Sequence, residues 1–275
     1  MLPNILVIGA MKSGTTSLYQ YLRSHPEIFM SSAKEPAFFG RNWNRGLSWY
    51  EGLFAGSGNA VAIGEASTEY SVYPHVPGVP RRIADTVPEV RLIYLVRHPI
   101  ERMMSEYHYN LIKGLEHSVS ADESLLNVPT YENASRYFLQ LQQYLEHFRP
   151  DQLLVLRSEE LRDDRRRCLA RAYAFLGVDD GWAPPELDRD FQRSSDIRPR
   201  RPVDRALRRM PGYRALAAVA PPSLRTLKHR VTTTKAPGRP TLSDRVRFEL
   251  EERLRDDVRR LHRYLGPDFD GWGIA

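Results

Sequence analysis

Ile5-Leu6-Val7-Ile8-Gly9-Ala10-Met11-Lys12-Ser13-Gly14-Thr15-Thr16-Ser17 is the stretch on which the fold turns. Four apolar residues form a buried strand, the polar residues around Gly14 form a tight loop, and residues 17–24 follow as a helix ended by His25-Pro26. This order builds an anion site. Gly14 lets backbone N–H groups approach an anion closely, the helix that begins near Thr15 points its positive end at it, and Lys12 adds a mobile cation. The expected ligand is phosphorylated. An ordinary nucleoside triphosphate loop reads G-x-x-x-x-G-K-[ST], with its hydroxyl on Mg²⁺. Here Lys12 comes two residues before Gly14, and two threonines follow.

A second strand, Val90-Arg91-Leu92-Ile93-Tyr94-Leu95-Val96, runs into Arg97-His98-Pro99 and then into helical spacing over residues 100–109 that contains Ser105. An Arg fork matches phosphate oxygens, and a hydroxyl carried on the helix adds a further donor. Taken together, residues 9–18 closely resemble the 5′-phosphosulfate loop of sulfotransferases that use 3′-phosphoadenosine 5′-phosphosulfate (PAPS). The Arg97–Ser105 spacing resembles that family's 3′-phosphate site. The resemblance implies an α/β fold, a single P-loop-like domain with a central parallel sheet flanked by helices. It implies Lys12, Ser13, Gly14, Thr15, Thr16 and Ser17 at the phosphosulfate, Arg97 and Ser105 at the 3′-phosphate, PAP as product, and no metal requirement. Lys235-Ala236-Pro237-Gly238-Arg239 resembles the family's basic loop that closes over the nucleotide, which adds Lys235, Gly238 and Arg239 to the donor site.

The chain has 275 residues, 41% of them hydrophobic, enough for one α/β domain. We read residues 1–195 as the nucleotide-binding core, 196–240 as a basic helical segment with the donor-closing loop, and 241–275 as a C-terminal helix and tail. Forty Lys+Arg against 34 Asp+Glu give a net charge of +6, which suits anionic ligands or an acidic surface. No nucleic-acid-reading motif is present. The single cysteine, Cys168, excludes an intrachain disulfide and reads as a small buried side chain. No His/Asp/Glu spacing suggests a metal. Residues 5–8 are too short for a signal h-region and no apolar run approaches the ~20 residues of a membrane span. The expectation is therefore a cytoplasmic, free, bacterial-type catalytic domain.

Further elements follow the alternation of a parallel sheet: a polar and aromatic loop over 31–44, a helix over 47–54, a strand over 61–64, a helix over 79–86, an apolar helix stripe over 135–148, a strand over 152–156 and a helix over 169–176. From 196 to 235, Arg and Lys alternate with leucines between prolines. This segment, residues 198–230 in particular, reads either as a surface for an anionic membrane or glycan, or as solvated helices over the donor cleft. The last helix, 243–265, carries a stripe through Val246, Leu250, Leu254, Val258, Leu261 and Leu265 with Ser243 as N-cap. Its tail resembles that of bacterial sulfotransferases, where the Trp packs on the domain.

Sulfuryl transfer needs an in-line nucleophile and charge neutralisation at the leaving oxygen. Lys12 is the residue for the leaving phosphate. Lys34-Glu35-Pro36-Ala37-Phe38-Phe39 resembles the Glu-x-x-Phe-Phe segment of heparan-type enzymes and implies Glu35 as general base, with Phe38 and Phe39 as walls that would raise its pKa. Ala37, Gly40 and Ala66 stand where those enzymes often carry His, Asp and Lys. Glu65 and Ser67 are then either acceptor-site groups or turn-forming residues. His98 reads as a local hydrogen-bonding residue, and His75 and His108 as alternative bases. The acceptor is a small molecule, glycan or glycolipid. Two rival functions, a P-loop nucleotide kinase and a non-catalytic nucleotide-binding module, would keep the phosphate loops. A kinase would need Gly-Lys-Ser/Thr and a metal-binding Asp at a strand end, which the strands ending at Gly64 and Arg97 lack, and the module has no need of Glu35.

Overall fold

The computed structural model describes residues 1–116, 118, 120–185, 187, 191, 238 and 240–275. Lys235, Arg239 and the basic segment 198–230 therefore lie outside the described residues. Five parallel strands, β1 (Ile5–Gly9), β2 (Ile28–Met30), β3 (Ala62–Ala66), β4 (Arg91–Val96) and β5 (Leu153–Arg157), form one sheet in the order β2-β3-β1-β4-β5. β1 is central, with Ile5 opposite Gly64 on one side and Arg91 on the other. Strands buried on both faces read as continuous apolar runs, which is why β1, β3, β4 and β5 were legible. β2 was not expected. Three residues after Pro26 carry no periodicity to read.

Side-chain alternation splits the core into layers. Ile5, Val7, Ile93 and Leu95 face α1 (Thr15–Ser24), while Leu6, Ile8, Leu92 and Tyr94 face the other way. Between them in sequence come α2 (Leu47–Gly52), α3 (Val79–Thr86), α4 (Pro99–Lys113), α5 (Ala121–Asn127), α6 (Pro129–Asn133), α7 (Tyr137–Leu145), α8 (Ser158–Asp163) and α9 (Arg165–Leu176). α9 shares the α1 layer, where Cys168 is buried and its thiol is pushed up to about 12 by that burial. α3 and α7 cover the opposite face. The helix stripe expected over 135–148 begins only at Tyr137, because Ser135 instead bonds Tyr131 O and Arg102.

The final helix, α10 (Asp244–Leu265), buries Val246, Leu250, Leu254 and Val258 against Ile100, Met103 and Tyr107 of α4, while Leu261 joins the core under α7 and Leu265 is only partly buried; the Ser243 hydroxyl accepts from Val246 N at 3.3 Å. Asp257 reaches from α10 to cap α7, accepting from Phe138 N at 3.0 Å and Leu139 N at 2.8 Å. The Trp272 ring packs 5.7 Å from Tyr137 and 4.7 Å from Phe269. The tail thus closes on the domain as its sequence suggested. Among the described residues, no helix is long and apolar enough to cross a membrane.

Candidate active site

The parallel sheet delivers its loops to one edge, the carboxyl ends of the strands, where ligands of open α/β sheets bind. β1 ends at Gly9, and the loop after it turns through Lys12 (φ 69°) and Gly14 (φ 97°) into α1. A left-handed Gly14 carries no Cβ penalty and acts as N-cap without blocking the helix end. The first helical bond outside the loop runs from Leu18 N to Gly14 O at 3.1 Å, so the amides of Thr15, Thr16 and Ser17 have no acceptor within the helix. Thr15 is buried and Thr16 half-buried beside them. Ser13 turns inward: its amide bonds Ala10 O and its fully buried hydroxyl has no partner among the described residues. The Ser17 hydroxyl donates to Phe191 O at 3.1 Å.

Arg97 stands at the end of β4 and donates to Lys12 O at 3.3 Å, so the two phosphate elements meet. Its own carbonyl accepts from the Tyr137 hydroxyl at 2.7 Å. Arg97, Ser105, His108, Thr241, Leu242 and Arg247 line a cavity of about 350 Å³. Arg97 and Ser105, paired by the resemblance, thus line the same cavity. Gly238 is exposed, two residues before Pro240, which also lines this cavity. The hydrogen bond expected of His98 comes from its backbone, which donates to Glu159 at 2.9 Å, while burial lowers the pKa of its ring. His75 is exposed on a turn.

Glu35 lies on the loop after β2, where its amide donates to Ala66 O at the end of β3, at 3.0 Å. Its carboxylate is 39% exposed and accepts from Lys34 Nζ at 2.7 Å. The expected aromatic walls are a correction. Phe38 and Phe39 turn into the core, Phe38 stacking on Tyr50 at 4.2 Å and 10°, because two large rings gain more from burial than from lining a loop.

The carboxylate in a dry setting is instead Glu65, fully buried on β3 and accepting from Tyr70 at 2.5 Å, Ser67 at 2.8 Å and Tyr50 at 3.3 Å. Burial raises its pKa to about 7 against the pull of those three hydroxyls. Glu65 and Ser67 are both wholly enclosed, which leaves the structural alternative of the two readings. Glu35 (φ 58°) and Ala37 (φ 48°) are both left-handed without being glycine, at a cost of ~1–2 kcal/mol each. A Cβ at Gly40 would meet the Glu69 carboxylate, which pairs with Arg41, so a side chain there would have to displace that pair.

The match to known proteins follows this geometry. Residues 2–193 fit the model of the sulfotransferase domain. The chain belongs to the sulfotransferase domain family. It is 33% identical over 183 residues to mouse heparan sulfate glucosamine 3-O-sulfotransferase 6, covering 64% of this chain and 52% of that protein. It is 30% identical over 205 residues to human bifunctional heparan sulfate N-deacetylase/N-sulfotransferase 3, covering 64% of this chain and 22% of that one. The chain thus spans about half the length of the first relative and less of the second. A sulfotransferase from Alicyclobacillus acidocaldarius shares the fold at a TM-score of 0.73 and 24% identity, with 99% of both chains covered.

Within this sulfotransferase domain, one residue at the donor loop escaped the sequence reading. Arg102 of α4 is fully buried and joins four groups: Ser135 Oγ at 2.7 Å, Tyr131 O at 2.7 Å, Met11 O at 3.4 Å and the Glu106 carboxylate at 2.8 Å. The sequence carried no signal for it, because helical spacing puts Arg102 with Glu106, Tyr109 and Lys113, away from the Ile100, Met103 and Tyr107 stripe.

Lys12 is expected to make anion binding depend on pH. Its ammonium sits 4.7 Å over the Tyr109 ring, and burial, then the Arg97 charge, lowers its pKa to about 8. A phosphate ligand binds the charged form better, so PAP affinity is expected to be full below pH 8. It should fall as pH rises through 8, by up to about tenfold per unit for one proton. Calorimetric titration of PAP from pH 6.5 to 9.5 reads this directly. Lys12→Arg should flatten the profile, and a flat profile in the unaltered protein would remove Lys12 from the phosphate site.

Proposed function

We propose that this protein transfers the sulfuryl group of PAPS to a hydroxyl or amine acceptor. The observation that carries the reading is the junction of Lys12 with Arg97 at the N-terminus of α1, in a chain of the sulfotransferase family. The donor set fits such a ligand: two cations, helix-terminal amides and threonine hydroxyls suit a phosphosulfate, and Arg97 with Ser105 suits a second phosphate across the 350 Å³ cavity. When bound, PAPS supplies a sulfuryl group on an activated phosphosulfate. Lys12 and the α1 amides neutralise charge at the leaving phosphate oxygen. Glu35 accepts the acceptor's proton on its carboxylate as the nucleophile attacks in line. The positive field of Lys12 and Arg97 supports binding of PAP without a divalent metal. The acceptor class is a small molecule, glycan or glycolipid.

The test compares PAP with adenosine 5′-phosphosulfate, which lacks the 3′-phosphate, and with ATP-Mg²⁺. Arg97→Ala should weaken PAP by ~1.5–3 kcal/mol, the range for charge-assisted bonds, and leave adenosine 5′-phosphosulfate nearly unchanged. Ser105→Ala should act in the same direction by ~1 kcal/mol. Equal losses for both ligands would make Arg97 a structural residue. Tighter binding of ATP-Mg²⁺ than of PAP would overturn the donor assignment.

A further inference from the structure

Four hydrogen bonds tie the Glu35 loop to one short stretch of chain, residues 65–70. Glu35 N donates to Ala66 O at 3.0 Å, Ala37 N to Ser67 Oγ at 2.9 Å, Phe39 N to the Tyr70 hydroxyl at 3.3 Å and Arg41 N to Glu69 Oε1 at 2.6 Å. Two of these acceptors are hydroxyls, and a hydroxyl accepts in a fixed direction only when its own proton is committed elsewhere. Both are committed to Glu65: Ser67 donates to Oε2 at 2.8 Å and Tyr70 to Oε1 at 2.5 Å. In its ionised form the Glu65 carboxylate accepts and does not donate, so it orients both hydroxyls with their oxygens toward the loop amides. The loop they hold contains two left-handed non-glycine residues, Glu35 and Ala37, a conformation that persists only where its surroundings impose it.

We infer that Glu65 is a positioning residue, whose carboxylate holds Ser67 and Tyr70 as acceptors and thereby fixes the loop that presents Glu35 to the acceptor. This rests on Glu35 as the base. Glu65 does not touch substrate: it lies wholly inside the protein, faced by Tyr50 from α2, by Ser67 and Tyr70 from its own segment, by Tyr144 from α7 and, through space, by the Glu35 charge. Replacing it with glutamine introduces an amide nitrogen that donates where the Ser67 proton, or those of Tyr70 and Tyr50, already point. One hydroxyl must then turn, and the loop amide it served loses its acceptor.

Hydrogen exchange read by mass spectrometry on the full chain tests the placement without needing an acceptor. In Glu65→Gln and in Ser67→Ala, amides in residues 34–42 should exchange about tenfold faster or more. Residues 9–18 and PAP affinity should stay as in the unaltered protein. Ser67→Thr, which keeps the hydroxyl, should restore slow exchange. Unchanged exchange at 34–42 would overturn the inference, as would equal loosening of 9–18, which would mean general damage.

A double-mutant cycle adds the catalytic arm, with PAP formed from PAPS measured with phenol, a glucosamine glycoside and water as acceptors. Glu65→Gln should lower turnover by roughly 10²-fold, the scale of a displaced catalytic group. It should add little once Glu35→Gln is present, because the first acts through the second. Additive losses would overturn it. Faster exchange at 34–42 combined with normal turnover in Glu35→Gln would instead keep the positioning and remove Glu35 as base.

Discussion

Glu35→Gln is expected to lower turnover by roughly 10²-fold or more, the usual range for loss of a general base, with PAP affinity nearly unchanged. The substitution preserves length and removes only the basic oxygen. The loop survives it, since its anchors are the backbone amides of residues 35, 37, 39 and 41 rather than the Glu35 carboxylate. The Lys34–Glu35 pair is partly exposed, so its loss costs little stability. Turnover, measured as PAP formed from PAPS, and PAP titration then separate the two roles. If turnover survives at position 35 and falls with His108→Ala, the proton goes to the cavity that holds Ser105 and the Glu35 reading is wrong.

Arg102→Ala is expected to destabilise the protein by ~3–5 kcal/mol, the range for removing one partner of a buried ion pair. It leaves the Tyr131 and Met11 carbonyls, Ser135 Oγ and the Glu106 carboxylate short of the one group that joins them. Thermal unfolding should drop by roughly 10 °C or more for a chain of this size. Arg102→Lys should not rescue it, because one ammonium cannot replace a planar fork that serves groups on three segments. A melting temperature within about 2 °C of the unaltered protein would show that these bonds carry little net stability.

The sheet and donor loop were legible because their physics is local. A strand buried on both faces must be continuously apolar, and a backbone that wraps an anion before a helix needs its glycine at one position. Arg97 and Ser105 were paired by the resemblance, and the strand end and the helix that follows it do bring both to one cavity. The interior polar groups were not legible. Glu65 and Arg102 break the rule that charges stay outside, and only the partners they meet in the fold explain them. Phe38 and Phe39 failed for the opposite reason: an aromatic pair in a loop does not reveal which side it faces until Tyr50 of α2 is seen to receive it.

The anchoring of the Glu35 loop also bears on how such a domain diversifies. Donor-side groups are set by the β1 and β4 strand ends and by α4, whereas the segment from Lys34 to Arg41 hangs on side chains and carbonyls of residues 65–70. Substitutions at exposed positions beyond it, such as Arg45 and Leu47, therefore leave both the Lys12–Arg97 junction and the anchors of the Glu35 loop in place, whereas Trp43 packs on Phe38 at 5.1 Å and does not share that freedom. One part of the chain can therefore vary while the backbone geometry at the ends of β1 and β4 is inherited intact in another.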